Sequence, residues 1–559
     1  MSNVGIYIEE VDYSLEGMVN LHCVSDDRAE AILTDWPVDY IIHNGRDSAY
    51  IGETISIERR TKEHLKSEDV GRNMTKITVI GQEKFNQSAT YNIETNLINN
   101  FIGDNRFNKI LNKSQTMMNT TNDYYDKQYY DQEVFQTLWQ ELIDRGLANQ
   151  SLEQIENNDI YKVSPFKSLS KSQSQLKEQV LEFCRANISN KESSLFLIEG
   201  DAGTGKSVVL SSIFNTIQTI ARSKARDVES DPLQGTHNYL LVNHPEMLKT
   251  YRTLAKKLPT LKVGDFNKPT PFINKMTKEE QQADIILVDE AHLLLSKSDP
   301  YNNYRGTNQL EDLMKLGKIV IAVFDPNQVL KLKSHWDQGM LNQLLLNHPS
   351  TKFELEDQFR IQGGKATLQW IDDFTKRRQV DAIPKDAKFD FRVFEHAEEM
   401  DQLIRKRDQE SQLSRIVATF DYAYSTVDSS PHYIQEGSFK HVWNTTNSKE
   451  TWAERPETIN EVGSIYTIQG FDLNYVGVIL GPSVKFNPAT NQIELELQAY
   501  QDSEAFKGRQ DLANDIDLEK ERIILNSINV LMKRGVHGLY IYAHDPALRK
   551  KLNDMKNDH

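Results

Sequence analysis

Gly200-Asp201-Ala202-Gly203-Thr204-Gly205-Lys206-Ser207 follows the apolar run SLFLIE and precedes VVLSSIFNTI. Glycines at that spacing leave backbone N–H groups open to phosphate oxygens, the lysine reaches the β- and γ-phosphates, and the serine hydroxyl coordinates Mg²⁺. The chemistry is nucleoside triphosphate binding, with ATP the expected ligand. A second apolar run, 285–288, delivers Asp289 to hold the metal and Glu290 to polarise an attacking water. Near the N-terminus, Tyr40 and Tyr50 stand ten residues apart on two expected strands, so both can point into one site. Arg60 and His64, four apart, share a helix face, and Glu94 and Asn108 follow.

These groups need elements to position them. Apolar bursts at 195–198, 239–242, 285–288, 319–324, 475–480 and 538–542 are each closed by Gly, Asp or Pro. Runs apolar at every position are strands covered on both faces, and the helical stretches between them imply parallel sheets that bind ligands at the carboxyl edge. Residues 1–111 mix short β-rich runs, at 40–42 and 76–80, with helical patterns, as in a small α/β unit. Residues 112–165, polar apart from an amphipathic helix at 133–147, read as a helical linker. The expected division is therefore 1–111, a linker at 112–165, a first P-loop unit at 166–350 and a second unit at 351–559.

A chain of 559 residues implies several folding units. Its 65 Lys and Arg against 81 Asp and Glu give a net charge of −16, which argues against coating nucleic acid by bulk charge but leaves room for a local basic groove. No apolar run approaches the roughly 18 residues of a membrane helix, so no membrane partner is expected. The start, MSNVGIYIEEVDYS, has no basic stretch before an apolar core. Two cysteines, Cys23 and Cys184, make neither a disulfide framework nor a zinc site. The expected location is the cytoplasm.

Further groups follow in order: Phe324-Asp325-Pro326-Asn327-Gln328, Gln358-Phe359-Arg360, Tyr466-Thr467-Ile468-Gln469-Gly470-Phe471, and Lys533-Arg534-Gly535. With the phosphate loop they resemble superfamily 1 helicases, most closely the Schlafen-group NTPase/helicase family, over residues 166–550. The resemblance implies two RecA-like P-loop domains with parallel sheets, using ATP and Mg²⁺. It implies Gln328 as the γ-phosphate sensor and Arg360 and Arg534 as arginines that reach the γ-phosphate across the cleft. Thr467, Gln469 and Gly470 would link nucleic-acid contact to the nucleotide. Lys533 stands where the family usually has Thr. Gln173, upstream of an amphipathic helix, is the candidate adenine reader, with Gln175 and Gln179 as competitors and a solvated helix face as the alternative.

The N-terminal set resembles a GIY-YIG endonuclease, with Val38-Asp39-Tyr40 in place of Gly-Ile-Tyr; a literal Gly5-Ile6-Tyr7 lies too far upstream to pair with Tyr50. This resemblance implies Glu94 as ligand to Mg²⁺ or Mn²⁺, Tyr40 or Tyr50 with His64 assisting proton removal, Arg60 stabilising developing charge, and Asn108 as the closing asparagine. Together the halves imply an ATP-dependent nuclease-helicase acting on nucleic acid, DNA in preference to RNA, in defence against foreign DNA or in repair. A second copy or a defence-system protein are further candidate partners. The alternative is an NTPase switch that senses nucleic acid or a partner through an N-terminal unit that binds without cutting.

Overall fold

The computed structural model describes the chain apart from residues 1–3, 25, 67–69, 71–72, 114–123, 202, 224–230, 335, 337, 356–357, 360, 425–430, 446–451, 469–470, 508–515 and 557–559. The N-terminal sheet has the order Ile6–Asp12, Lys76–Gln82, Val38–His43, Ser48–Thr54, Lys109–Ile110. Its first four strands are antiparallel and the last runs parallel to its neighbour. Alternation sorts the side chains. Val38, Tyr40 and Ile42 pack with Ile57 of the helix Ile57–Lys66, whereas Ile41, Ala49 and Ile51 pack with Ile93 and Leu97 of the helix Gln87–Gly103. Tyr7 sits on the far edge strand, opposite Gly81, away from the strand of Tyr50.

A second sheet is wholly parallel, in the order Ser350–Leu355, Ser194–Gly200, Gly317–Phe324, Ala283–Asp289, Asn238–Val242, Phe266–Asn267. The expected apolar runs at 195–198, 239–242, 285–288 and 319–324 all lie in it. Strand Ser350–Leu355 also belongs to it, so a boundary at 350 cuts the unit short and the first P-loop unit extends to Leu355. The third sheet, Asp390–Phe394, Gly535–Ala543, Leu473–Leu480, Ser414–Ala418, Glu461–Gly463, Phe439–Trp443, Tyr433–Glu436, is parallel up to its last, antiparallel pair.

The segment expected to be a linker is helical but is no free spacer. A π-helical turn, Tyr130–Val134, leads into the helix Phe135–Asp144. Phe135, Leu138, Trp139 and Leu142 are buried on its apolar face, the Trp139 ring 5.0 Å from that of Phe101. They share one apolar cluster with Ile41 and Ile51 on the N-terminal side and with Leu176, Phe196 and Val209 around the phosphate loop's sheet. A polar tie reinforces it: Lys257 Nζ donates to the carbonyls of Asp104, at 2.7 Å, and Phe107, at 3.4 Å. Among the described residues no helix is long and apolar enough to cross a membrane.

Because the core is continuous, the N-terminal sheet and the phosphate loop's sheet should unfold as one body. Trp139→Ala is expected to cost about 3–5 kcal/mol and to raise hydrogen exchange in Val38–His43 and Ser194–Gly200 together; exposure of the first strand alone would refute the shared core.

Candidate functional site

Burial at the carboxyl edge of the second sheet organises the phosphate loop. Gly203 and Gly205 take φ of 86° and 74°, open to glycine without strain. A Cβ on Gly205 would lie 2.4 Å from Gln173 Nε2, so any side chain there would add a displaced Gln173 amide to the backbone strain of its positive φ. Gln173 is placed by its helix start: Ser170 and Gln173 form a reciprocal capping box, and Gln173 Nε2 donates to the Thr204 carbonyl at 3.2 Å. Lys206 Nζ donates to the carbonyls of Gly200 and Asp201, each at 2.7 Å, and to Asp325 Oδ2 at 3.1 Å. Gln328 Nε2 donates to the same Asp325 oxygen at 2.6 Å.

Asp289 ends its strand buried, with Ser207 Oγ 3.4 Å from its Oδ1. Burial, with Glu290 beside it, raises the Asp289 carboxyl above the usual range, and bonds from Tyr251 and Ser207 oppose the rise. Glu290 follows in the left-handed region at φ 53°, a conformation a non-glycine residue holds only where its surroundings impose it. Its Oε2 lies 3.1 Å from His292 Nε2. Lys206, Ser207, Glu290 and Gln328 line one cavity of about 240 Å³ with Gly203, Gly205 and Arg534. Arg534 arrives from the third sheet, buried, with Nη1 donating to the Phe471 carbonyl at 3.1 Å. Its neighbour Lys533 turns away from that cavity and pairs with Asp372 at 2.8 Å. The donor set fits a nucleotide with Mg²⁺: hydroxyl and carboxylate oxygens side by side, a lysine, and a glycine cradle. Ala202, Arg360, Gln469 and Gly470 lie outside the described residues.

In the N-terminal unit, a chain of polar groups meets on one face of the sheet. Arg60 Nε donates to the Tyr40 hydroxyl at 3.3 Å, and that hydroxyl lies 2.8 Å from His64 Nε2. The Tyr50 ring is 5.1 Å from the His64 ring and 6.3 Å from that of Tyr40. Gly52 stands directly opposite Tyr40, and any Cβ there would strike the phenol ring at 2.4 Å. Burial and Glu53 push the Glu94 carboxyl up to about 8, with Arg60 pulling against them. Asn108 is the member the geometry leaves out. It is exposed, and its backbone N–H bonds Asp47 at the hairpin turn. Asn112, by contrast, is buried and pins the strand through both the N–H and the carbonyl of Ile51, at 3.1 and 2.8 Å.

Three residues that sequence reasoning missed stand out. Tyr251, fully buried, donates its hydroxyl to Asp289 Oδ2 at 2.7 Å. Asp39 is fully buried, with no hydrogen-bond partner for either carboxylate oxygen among the described residues, and burial with Glu94 and Glu53 nearby drives it well above the carboxylate range. Glu53 accepts from Thr90 Oγ1 at 3.3 Å. The available signal was register: Asp39 faces Glu53 across the hairpin, an acidic pair on expected strands.

A family model described as Schlafen group 3, DNA/RNA helicase domain, matches residues 193–545. The uncharacterized protein YPL245W of Saccharomyces cerevisiae is 39% identical over 414 residues, which cover 69% of this chain and 90% of that protein. Among solved structures, the Pif1 helicase from Candida albicans matches at 14% identity and a TM-score of 0.22, over 43% of this chain and 55% of its own. A structure described as showing DNA unwinding at forked dsDNA by two coordinating Pif1 helicases matches at 10% identity and a TM-score of 0.24, over 66% of this chain and 91% of its own.

Tyr251→Phe removes the donor that orients Asp289, so the Mg²⁺ concentration for half-maximal binding of a fluorescent nucleotide should rise roughly 10-fold while binding in EDTA stays unchanged; equal weakening of both would mean a packing role only. In Glu94 the folded pKa of about 8 exceeds the ordinary 4.5, so its contribution to stability is complete below 4.5 and is lost as pH rises through 8. Glu94→Gln should accordingly flatten the fall in Tm between pH 5 and pH 9, and an unchanged profile would place the titration elsewhere.

Proposed function

Because the chain belongs to the Schlafen group 3 DNA/RNA helicase domain family, we propose that it couples ATP hydrolysis to movement along nucleic acid, DNA in preference to RNA, and that its N-terminal unit cuts the phosphodiester backbone. Removal of foreign DNA is the setting we propose for the two activities on one chain. One observation carries the motor half. Arg534, on the side of the third sheet, lines the same cavity as Lys206, Ser207, Glu290 and Gln328 of the second, so closing the two sheets brings a planar cation onto transition-state charge.

In this reading a phosphate takes Lys206 from the Gly200 and Asp201 carbonyls, while Asp325 continues to balance it. Ser207 and Asp289 would hold Mg²⁺, which when bound neutralises charge across the phosphates. Glu290 orients the attacking water, and Gln328, bonded to Asp325, senses whether the γ-phosphate is in place. In the N-terminal unit, Arg60 donating to the Tyr40 oxygen leaves the phenol proton directed at His64 Nε2. His64 is thereby arranged to accept a proton relayed from a nucleophilic water, with Arg60 beside the developing charge. Glu94, whose carboxyl the Arg60 charge pulls down against burial and Glu53, is the proposed metal ligand.

Two variants separate the halves. Lys206→Ala should cut ATP turnover roughly 100-fold or more, and single-stranded DNA should stimulate the wild type strongly. Glu94→Gln should abolish nicking of circular and linear DNA in Mg²⁺ or Mn²⁺ and leave turnover intact. Nicking that survives Glu94→Gln would remove the nuclease assignment, and turnover indifferent to DNA and RNA would replace the motor with a partner-operated switch.

A further inference from the structure

The cavity of the phosphate loop has a wall that belongs to neither parallel sheet. Asp159, Lys162, Val163 and Lys167 line it, opposite Gly203, Lys206 and Arg534. They come from a strap between the N-terminal unit and the helix Lys171–Asn187. The strap is fastened to the N-terminal unit through one helix, Gln87–Gly103, which also carries Glu94. Asn158 Nδ2 donates to the Gly103 carbonyl at 3.0 Å, Ser164 Oγ donates to Asn99 Oδ1 at 2.6 Å, and Asn99 Nδ2 donates to the Phe166 carbonyl at 3.1 Å. Lys167 follows that last anchor directly.

The two strap lysines differ in their partners. Lys162 Nζ has Asp159 at 3.6 Å. The Lys167 ammonium rests over the Tyr161 ring, 4.2 Å from its centroid, and makes no ion pair among the described residues. Burial, with Lys162 nearby, lowers it to about 8 even though Glu156 and Asp472 pull the other way, so burial outweighs the carboxylates around it. A cavity of about 240 Å³ walled by glycines and the lysine of a phosphate loop admits a nucleotide's phosphate chain and excludes a nucleic-acid duplex.

We propose that Lys167 is a phosphate contact: when a nucleoside triphosphate fills the cavity, the Lys167 ammonium leaves the Tyr161 ring for an oxygen of the polyphosphate. The strap, fastened to the N-terminal unit, thus supplies a cation to the motor's nucleotide, and occupancy of the cavity tightens it against the helix of Glu94. This rests on the nucleotide reading of the cavity made above.

The test is titration of the full chain with ATP, ADP and adenosine in Mg²⁺, for wild type, Lys167→Met and Lys167→Arg, with unfolding temperatures matched; Lys167→Gln replaces the methionine variant if that one does not fold. A charge-assisted bond predicts that Lys167→Met weakens ATP about tenfold, leaves adenosine unchanged, and is largely rescued by arginine. ATP should also slow hydrogen exchange in residues 92–103 of the wild type and not of Lys167→Met. Unchanged ATP affinity in Lys167→Met, or an equal loss for adenosine, overturns the proposal. Failure of the wild type to bind ATP would instead overturn the nucleotide reading itself.

Discussion

Keeping an ammonium group dry at the carboxyl end of a parallel sheet is the constraint on which the motor half depends. Lys206 is only 7% exposed, and its carboxylate, Asp325, is fully buried. A buried pair of this kind stands only if the remaining lone pairs and protons are satisfied, since removing one partner leaves an uncompensated charge worth about 3–5 kcal/mol. The surroundings meet that demand. Two loop carbonyls accept hydrogen bonds from the lysine; Gln328 Nε2 and the Asn327 N–H donate to Asp325. Burial alone would push Asp325 up, yet the Lys206 cation holds it below the usual carboxylate range. Asn327 Nδ2 also donates to Asp201 at 2.7 Å, so the turn after strand Gly317–Phe324 and the phosphate loop after strand Ser194–Gly200 are locked together. Loop shape, charge balance and the position of Gln328 are thus one network.

That network is tied to the rest of the molecule by the helix Pro245–Lys257. Pro245 at its first position and His244 as its N-cap start it at the end of strand Asn238–Val242. From there it reaches three ways. The His244 ring lies 6.4 Å from that of Phe471, on the side of the third sheet. Tyr251 holds Asp289, and Lys257 in the last turn holds carbonyls of the N-terminal unit, where a cation also suits the helix dipole. Burial lowers Lys257 to about 8 against the pull of Asp104, so this tie is made by a partly desolvated cation bonded to two carbonyls. One helix therefore touches Asp289, the N-terminal unit and the side of the third sheet.

Periodicity made the sheets legible. Runs apolar at every position, such as 285–288, can only be strands covered on both faces, and a Gly-x-x-x-x-Gly-Lys-Ser loop between strand and helix leaves little choice of geometry. Period-two patterning likewise placed Tyr40 and Tyr50 on one face. The segment 112–165 reads as a spacer because it is rich in Asn, Gln, Ser, Tyr and Asp. Trp139, Phe135 and Leu138 nevertheless bury into a core shared by both neighbours, which no local pattern announces. Asn108 is the position that the resemblance matches to a closing asparagine. The amide that matters for the strand is the one whose two ends match a backbone N–H and carbonyl, a property of register and not of sequence distance. Tyr251 was invisible for the same reason: it meets Asp289 across 38 residues.

A chain of net charge −16 can still gather polyanions if its cations are concentrated where water is excluded. Around the nucleotide cavity, Lys162, Lys167, Lys206 and Arg534 face Asp159, Glu290 and Asp472. That near-balance is tipped toward anions by the N–H groups of the glycine loop, which carry no formal charge and so escape any count of residues. The N-terminal unit solves the opposite problem. Burial drives Asp39, Glu53 and Glu94 all upward, and neighbouring carboxylates add to the rise of Asp39 and Glu94, so they favour protons or a divalent cation over the charged, empty state. A phosphodiester is repelled by ionised carboxylates and accepted by metal-bound ones. In the proposed reading, a metal held by these carboxylates would let the acidic unit admit nucleic acid, and the lysines and backbone of the phosphate loop would admit nucleotide, so surface charge need favour neither.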